Sequence, residues 1–390
     1  MLAVGAFGYP ADYLFCWILF LSLLIHAWCF FRGFPKERFP KLGLLLGNGL
    51  VFLCMLAAVG LIAETHLRFL AVETDAFGLS LPARRWFALH TRLNALGCRD
   101  EEWPVHKPPG TYRIAFVGDS FTYGWGVERE EERFTELVQD RLNPSRAREE
   151  ADGVRDEGTK VRRDEGEGSR DQGIEASRIA NWASAIGNFE VFNVAKPGWG
   201  TGDQIEPIAS MIDVYGVDEV VLCYVPNDIE KLIPVRDGFN PVRPPMPALF
   251  NPDSSCLLDH LYWHCYVPRV ATVADYFDWL AEGFADVRIW HEHQRQFGAI
   301  IDLCRTRGVS LRVVLLPFLR TTGDKYQPAR LHDTLRGFFA ANDVPVVDLL
   351  AALSGIDRAS LVVNANDAHP NQRAHALFAE AIWQAFYRAR

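Results

Sequence analysis

Two uncharged apolar runs, Tyr13 to Phe31 and Leu42 to Ala63, open the chain and constrain it more than any other feature. Each meets the length of about 20 residues that a helix needs to cross the hydrocarbon of a bilayer. Two such runs ahead of any amphipathic segment argue against a buried core hairpin. The first is a poor secretory leader, because nothing basic precedes it and no small-residue cleavage pattern follows before Arg32. The link from Arg32 to Lys41 carries four basic residues and one acid, whereas nothing basic precedes Tyr13. Short basic loops stay cytoplasmic, so both chain ends are expected on the far side. Residues 1–63 therefore predict a two-pass anchor in the lipid bilayer, holding a periplasmic or extracellular domain.

Residues 64–110 read as a juxtamembrane connector, with Arg, Trp and Pro scattered through it. From 111 to 390 strand-like and helix-like patterns alternate. Strands are predicted over Arg113–Val117, Glu190–Val194, Glu219–Val225, Leu311–Leu316 and Pro345–Leu349. Helices are predicted near Glu130–Leu142, Gln204–Tyr215, Ile289–Arg307, Arg330–Ala341 and Gln372–Tyr387. Near-continuous apolar strands alternating with helices argue for a parallel sheet covered on both faces. The fold class is thus α/β, a three-layer flavodoxin-like parallel sheet preceded by two transmembrane helices. From about 144 to 178 the composition turns to Arg, Asp, Glu and Gly with hardly an apolar residue. Such a stretch cannot bury enough apolar surface to offset its ordering entropy, which predicts a disordered insertion. The excursion from about Asp237 to Asp275, rich in Pro and aromatics, is placed to shape a binding pocket.

Composition removes several function classes. A net charge of −9, with no basic face, argues against nucleic acid. Eight cysteines without CxxC pairs or Cys/His clusters make a structural metal site unexpected, and no cofactor motif of the GxxxxGK[ST] or GxGxxG type occurs. Cys256 and Cys265 could bridge in an oxidising compartment or remain two free thiols.

Four short blocks carry chemistry. Gly118-Asp119-Ser120 follows the first predicted strand, where a hydroxyl would stand at the carboxyl end of the sheet; an ordinary N-cap serine sits in the same place. The second strand runs into Lys196-Pro197-Gly198-Trp199-Gly200, whose glycines let the backbone turn and present an N–H. The third ends at Pro226-Asn227-Asp228, with an amide able to donate to an anionic oxygen. Asp367 and His369 stand two apart on a predicted loop, close enough for the carboxylate to orient the imidazole. Each block has a dull explanation as a turn or a cap. Together, at successive strand ends, they match the parts for acyl transfer: nucleophile, base, orienter and oxyanion donors. Trp125, Trp199 and Tyr262-Trp263-His264 are candidates for a sugar-stacking or acyl-binding wall, or for core contacts.

In this order the blocks resemble the SGNH (GDSL-type) hydrolases, over roughly residues 112 to 388 without the charged insertion. Phe121 stands where the family name has leucine. Asn193 to Thr201 is similar to the second block, and Asn227-Asp228 to the third, with Val225 in place of a usual glycine. Asp367 lies two rather than three positions before His369. The resemblance implies Ser120 as nucleophile, His369 as base and Asp367 as its orienter, with Ser120, Gly198 and Asn227 as the oxyanion hole. It implies an esterase acting on O-acyl groups, acetyl or short-chain, of cell-envelope carbohydrate. The alternatives are an O-acyltransferase working with a multi-spanning membrane partner, and a catalytically silent glycan-binding module.

Overall fold

The computed structural model describes residues 10–35, 37–78, 80–144, 188–235, 255–266, 276–320 and 327–388. The expected insertion lies outside them apart from its first residue. The chain divides into two units, residues 1–89 with 238–274 and residues 90–237 with 275–390.

The first unit begins with α1 (Pro10–Gly33) and α2 (Pro40–Phe69). Both are long and apolar enough to cross a membrane, with mean hydropathies of 2.2 and 2.3. Leu44, Leu45, Phe52 and Ile62 on α2 are each more than 60% exposed, a display that suits lipid and not water. α2 runs past Ala63 to Phe69, and that last stretch is polar for a reason. The Glu64 carboxylate accepts from the N–H groups of Cys256 and Leu257 (3.0 and 2.8 Å) and from the Ser255 hydroxyl (2.7 Å). It thereby caps the short helix Cys256–Leu261, where an anion is favoured by the unpaired N–H groups. Arg68 donates to the same carboxylate at 2.9 Å. Helix α3 (Leu81–His90) starts with the Leu81 N–H on the Asp259 carboxylate, at 2.9 Å. Tyr262 and Trp263 are buried, the Trp263 ring 6.3 Å from that of Phe77. Within the excursion from about Asp237 to Asp275, the described residues 255–266 pack inside this unit. Cys256 is buried and Cys265 exposed, both as free thiols.

The second unit is built on β1 (Thr111–Gly118), β2 (Asn188–Ala195), β3 (Glu219–Tyr224), β4 (Ser310–Leu315) and β5 (Val346–Asp348). The strands run parallel in the order β2-β1-β3-β4-β5, the doubly wound order of flavodoxin-like sheets. Around them lie α4 (Ser120–Tyr123), α5 (Phe134–Leu142), α6 (Thr201–Asp213), α7 (Tyr276–Ala285), α8 (Val287–Arg307), α9 (Pro328–Ala341) and α10 (Gln372–Phe386). A small antiparallel pair, β6 (Val362–Asn364) and β7 (Asp367–Pro370), precedes α10.

The alternation along β1 shows why both faces need cover. Ile114 and Phe116 join Phe134 and Val138 of α5 and Phe378 and Ile382 of α10. Ala115 and Val117 point the other way, into a core with Ile208 of α6, Phe297 and Ile300 of α8, and Phe339 of α9. A strand buried on two faces reads as continuous apolar sequence, as found here. The helix expected from Glu130 starts instead at Phe134. A 3₁₀ turn over Glu130–Glu132 comes first, and Arg133 then takes an extended backbone (φ −71°, ψ 148°). Residues 90–110, read as connector, belong to this unit, and the buried Arg99 and Asp100 come from them.

His293 and His375 are sealed in the helical layers. Burial lowers the pKa of His293 on α8 and of His375 on α10 from the ordinary 6.5 to about 3, and Arg133 and Arg99 add to the shift at His375. Both therefore stay neutral in the folded state below the pH at which the unfolded chain binds protons. Stability contributed by their neutral forms is full above pH 6.5 and is lost as pH falls toward 3, by up to about 1.4 kcal/mol per pH unit per histidine. Urea midpoints measured from pH 7 to 4 should fall accordingly. His375→Gln, which keeps an acceptor for the Phe134 N–H, should flatten the slope.

Candidate active site

β1 ends at Gly118, whose neighbours in register are Ala195 of β2 and Cys223 of β3. The loops after all three strands therefore leave the sheet side by side at its carboxyl edge. The strand order reverses between β1 and β3, which is where open parallel sheets hold their ligands. Gly118 itself is required by space: a Cβ there would lie 2.2 Å from Thr122 Oγ1 and 2.9 Å from the Cys223 carbonyl oxygen.

Ser120 is not the N-cap of the helix that follows β1. That place belongs to Asp119, whose carboxylate accepts from the Phe121 N–H at 2.9 Å. Ser120 is the first helical residue, so its N–H has no intrahelical acceptor. Its hydroxyl lies 2.9 Å from His369 Nε2, and His369 Nδ1 lies 2.6 Å from Asp367 Oδ1. The same Asp367 oxygen also accepts from the His369 backbone N–H, at 3.1 Å. Asp367 and His369 stand on β7, not on the expected loop. Residues i and i+2 of a strand point to one face, which is why a two-residue spacing brings carboxylate and imidazole together. Both side chains are buried, and the capping of α10 falls to Asn371, whose side chain accepts from the Ala374 N–H.

Asn227 sits in the 3₁₀ helix Pro226–Leu232 after β3. Its Nδ2 donates to Asp119 Oδ2 at 3.1 Å. That bond fixes which end of the amide faces Asp119, since the carboxylate repels the carbonyl end, and leaves the second Nδ2 proton to donate elsewhere. Asp119 thus sets the serine helix and the asparagine at once. The carboxyl is wholly buried, and burial pushes its pKa up against the opposing pull of the Phe121 N–H, Asn227 and His369. Asp228 is buried beside it; burial, and then the charge of Asp119, drive its pKa well above the ordinary carboxylate range. Gln204 on α6 donates to Asp228 at 3.2 Å.

After β2, Lys196-Pro197-Gly198-Trp199 closes a turn in which the Trp199 N–H donates to the Lys196 carbonyl, at 3.2 Å. Pro at the second position and Gly198 at φ +76° make it a type II turn, whose third-residue N–H is left outside the closing bond. Asn193, in the strand before it, donates to the Thr122 carbonyl at 2.7 Å and so holds the end of the serine helix.

Of the expected aromatic wall, Trp125 meets this site. Its ring stacks on His369 with centroids 5.1 Å apart and an interplanar angle of 23°, while Phe121 approaches the same imidazole at 5.2 Å. Trp199 instead packs on the core beneath α6 and α8. The loop carrying Trp125 is held by arginines that sequence reading passed over. Arg99 donates to the carbonyls of Gly124 (2.8 Å) and Glu128 (3.1 Å). Arg133 donates to the Arg99 carbonyl and to Glu136, at 3.0 Å for the latter. Asp100 accepts from the Asn193 N–H at 2.8 Å. An Arg-Asp pair in a region of scattered charge gives no signal of this role.

No protein-family model matches the chain, and none of the curated proteins does. Among solved structures the chain is similar to a lipolytic G-D-S-L family member from Veillonella parvula, at 14% identity over 70% of this chain and 98% of that one, with a TM-score of 0.37. It is similar to a psychrotrophic esterase from Pseudoalteromonas sp., at 11% identity over 70% and 95% of the two chains, with a TM-score of 0.37. It is also similar to an acetylxylan esterase from Geobacillus stearothermophilus, at 14% identity over 72% and 96%, with a TM-score of 0.35. With TM-scores below 0.5, these likenesses do not bear on activity or substrate, which rest on the geometry of the site itself.

The two glycines of the second loop are needed for different reasons. At Gly198 a Cβ meets nothing within 4 Å, so only the left-handed backbone resists substitution. At Gly200 the Cβ would lie 2.6 Å from the Asp228 carbonyl oxygen. Gly198→Ala should cost about 1 kcal/mol, the price of a left-handed alanine. Gly200→Ala should cost more, on the order of 2–3 kcal/mol, because backbone must shift. Urea unfolding of the two variants checks the order.

Proposed function

We propose that the chain is a membrane-anchored serine esterase that hydrolyses O-acyl esters, acetyl or short-chain, on cell-envelope carbohydrate outside the cytoplasm. The observation that carries the reading is the unbroken hydrogen-bond chain from Asp367 through His369 to Ser120, at 2.6 and 2.9 Å. In this reading Asp367 accepts from Nδ1–H and keeps the His369 lone pair on Nε2, facing the serine. His369 takes the Ser120 proton as the oxygen attacks the ester carbonyl. The tetrahedral oxyanion is held by the N–H groups of Ser120 and Gly198 and by the free Nδ2 proton of Asn227; one such donor is worth about 10²–10³ in turnover. His369 returns the proton to the leaving alkoxide, and water, activated by the same imidazole, releases the acyl group from Ser120.

The short acyl group is supported by the rings of Trp125 and Phe121, which crowd His369. The extracytoplasmic setting is supported by the four basic residues in the link between the two apolar helices. A bilayer-anchored esterase facing outward would have access to acylated envelope glycan, which is the substrate class proposed.

Ser120→Ala in the full chain, assayed with 4-nitrophenyl acetate, should lower kcat by at least about 10³-fold with the fold intact. Unchanged turnover would remove serine catalysis.

A further inference from the structure

Away from the α/β unit, residues 69 to 73 leave the end of α2 beside the short helix Cys256–Leu261 and the single π-helical turn Tyr262–Tyr266 that continues it. His260 and His264 stand four apart on that continuous helix, so they share one face. Their imidazoles lie parallel, with centroids 3.7 Å apart and an interplanar angle of 23°. Glu73 Oε1 is 3.8 Å from His260 Nδ1. One ligand atom from each of the three residues lies within 4.8 Å of those of the other two.

The hydrogen bonding around these rings decides which atoms are spare. His264 Nδ1 is 2.9 Å from the backbone carbonyl of His260, which can only accept. The proton is therefore on Nδ1, and the lone pair on Nε2. A ring nitrogen pinned to a backbone carbonyl, with its other nitrogen bare, is how metal-binding histidines are oriented. His260 Nδ1 is shut off from solvent and has no hydrogen-bond partner among the described residues. A buried nitrogen without a partner is costly, and two stacked imidazoles with a carboxylate at their edge are hard to explain as surface decoration. A cleft of about 620 Å³ lined by Ala63, His66, Val72, Glu73 and His260 leaves room for water as a further ligand.

We propose that Glu73, His260 and His264 form a binding site for one divalent transition-metal ion of the zinc type. Two imidazoles and one carboxylate suit Zn²⁺ and its neighbours and not Ca²⁺ or Mg²⁺, which want oxygen ligands. Tetrahedral ligation at about 2.1 Å needs ligand atoms about 3.4 Å apart, so loading would draw the three closer than the 4.8 Å within which they now lie. The ion would tie the exit of α2 to a segment far along the chain. Closing so long a loop predicts a gain in stability on loading.

The test uses the full chain in detergent, stripped with a chelator and titrated with Zn²⁺ by calorimetry. One equivalent should bind at micromolar Kd or tighter, raising the thermal midpoint, while Ca²⁺ and Mg²⁺ do neither. His260→Gln and His264→Gln should each weaken binding at least tenfold, and Glu73→Gln about tenfold, with circular dichroism unchanged. Co²⁺ in place of Zn²⁺ should give a visible spectrum without thiolate charge-transfer bands, which excludes the nearby Cys265 as the source. Zn²⁺ binding equal in the wild type and both histidine variants, or absent from the wild type, would overturn the proposal.

Discussion

From Ile114 to Val117, β1 is closed off from solvent on both faces, and that constraint organises the second unit. A strand with two buried faces must have helices on each side, and parallel neighbours reached by right-handed crossovers. The crossovers deliver every loop of one kind to one edge. Ser120, Gly198 and Asn227 come from three different stretches of sequence, yet each follows a strand that pairs in register with β1 or is β1 itself. The shared edge is a result of burying Phe116 and Val117, and needs no separate device.

At that edge the physical problem changes from burying apolar surface to burying charge. Asp119 and Asp228 are both buried, with their pKa values raised by desolvation. Two buried carboxyls close to each other are costly unless they are hydrogen-bonded or one holds a proton. Asp119 offsets its cost with the Phe121 N–H and the Asn227 amide. Asp228, with Gln204 as donor and Asp119 raising its pKa, is the better proton holder of the two. Strain of this sort persists because the surrounding framework holds it: Arg99 and Arg133 pin the Trp125 loop from below, and Asn193 pins the serine helix.

Much of this was legible in the sequence, for reasons that can be named. The strands were readable because burial on two faces leaves an unbroken apolar run. The four chemical blocks were readable because each is short and local to a strand end. What stayed hidden depends on contacts between distant residues. Nothing local marks Arg99 as the support of Gly124, or Trp125 as the neighbour of His369. The placement of Asp367 and His369 on β7 rather than a loop needed the pairing partner Val362–Asn364. Composition likewise cannot show that Glu64 caps the helix at Cys256. The same limit hid His260 and His264 from a search for Cys/His spacing: their significance needs Glu73, from before the sheet begins.

On the proposed mechanism Ser120 owes its reactivity to His369 and Asp367. The most direct measurement is labelling of the detergent-solubilised full chain with a fluorophosphonate, followed by mass mapping of the adduct. One adduct is expected, on Ser120, with a loss of labelling rate of at least about 10³-fold in His369→Ala. No adduct on Ser120, or undiminished labelling without His369, would contradict it.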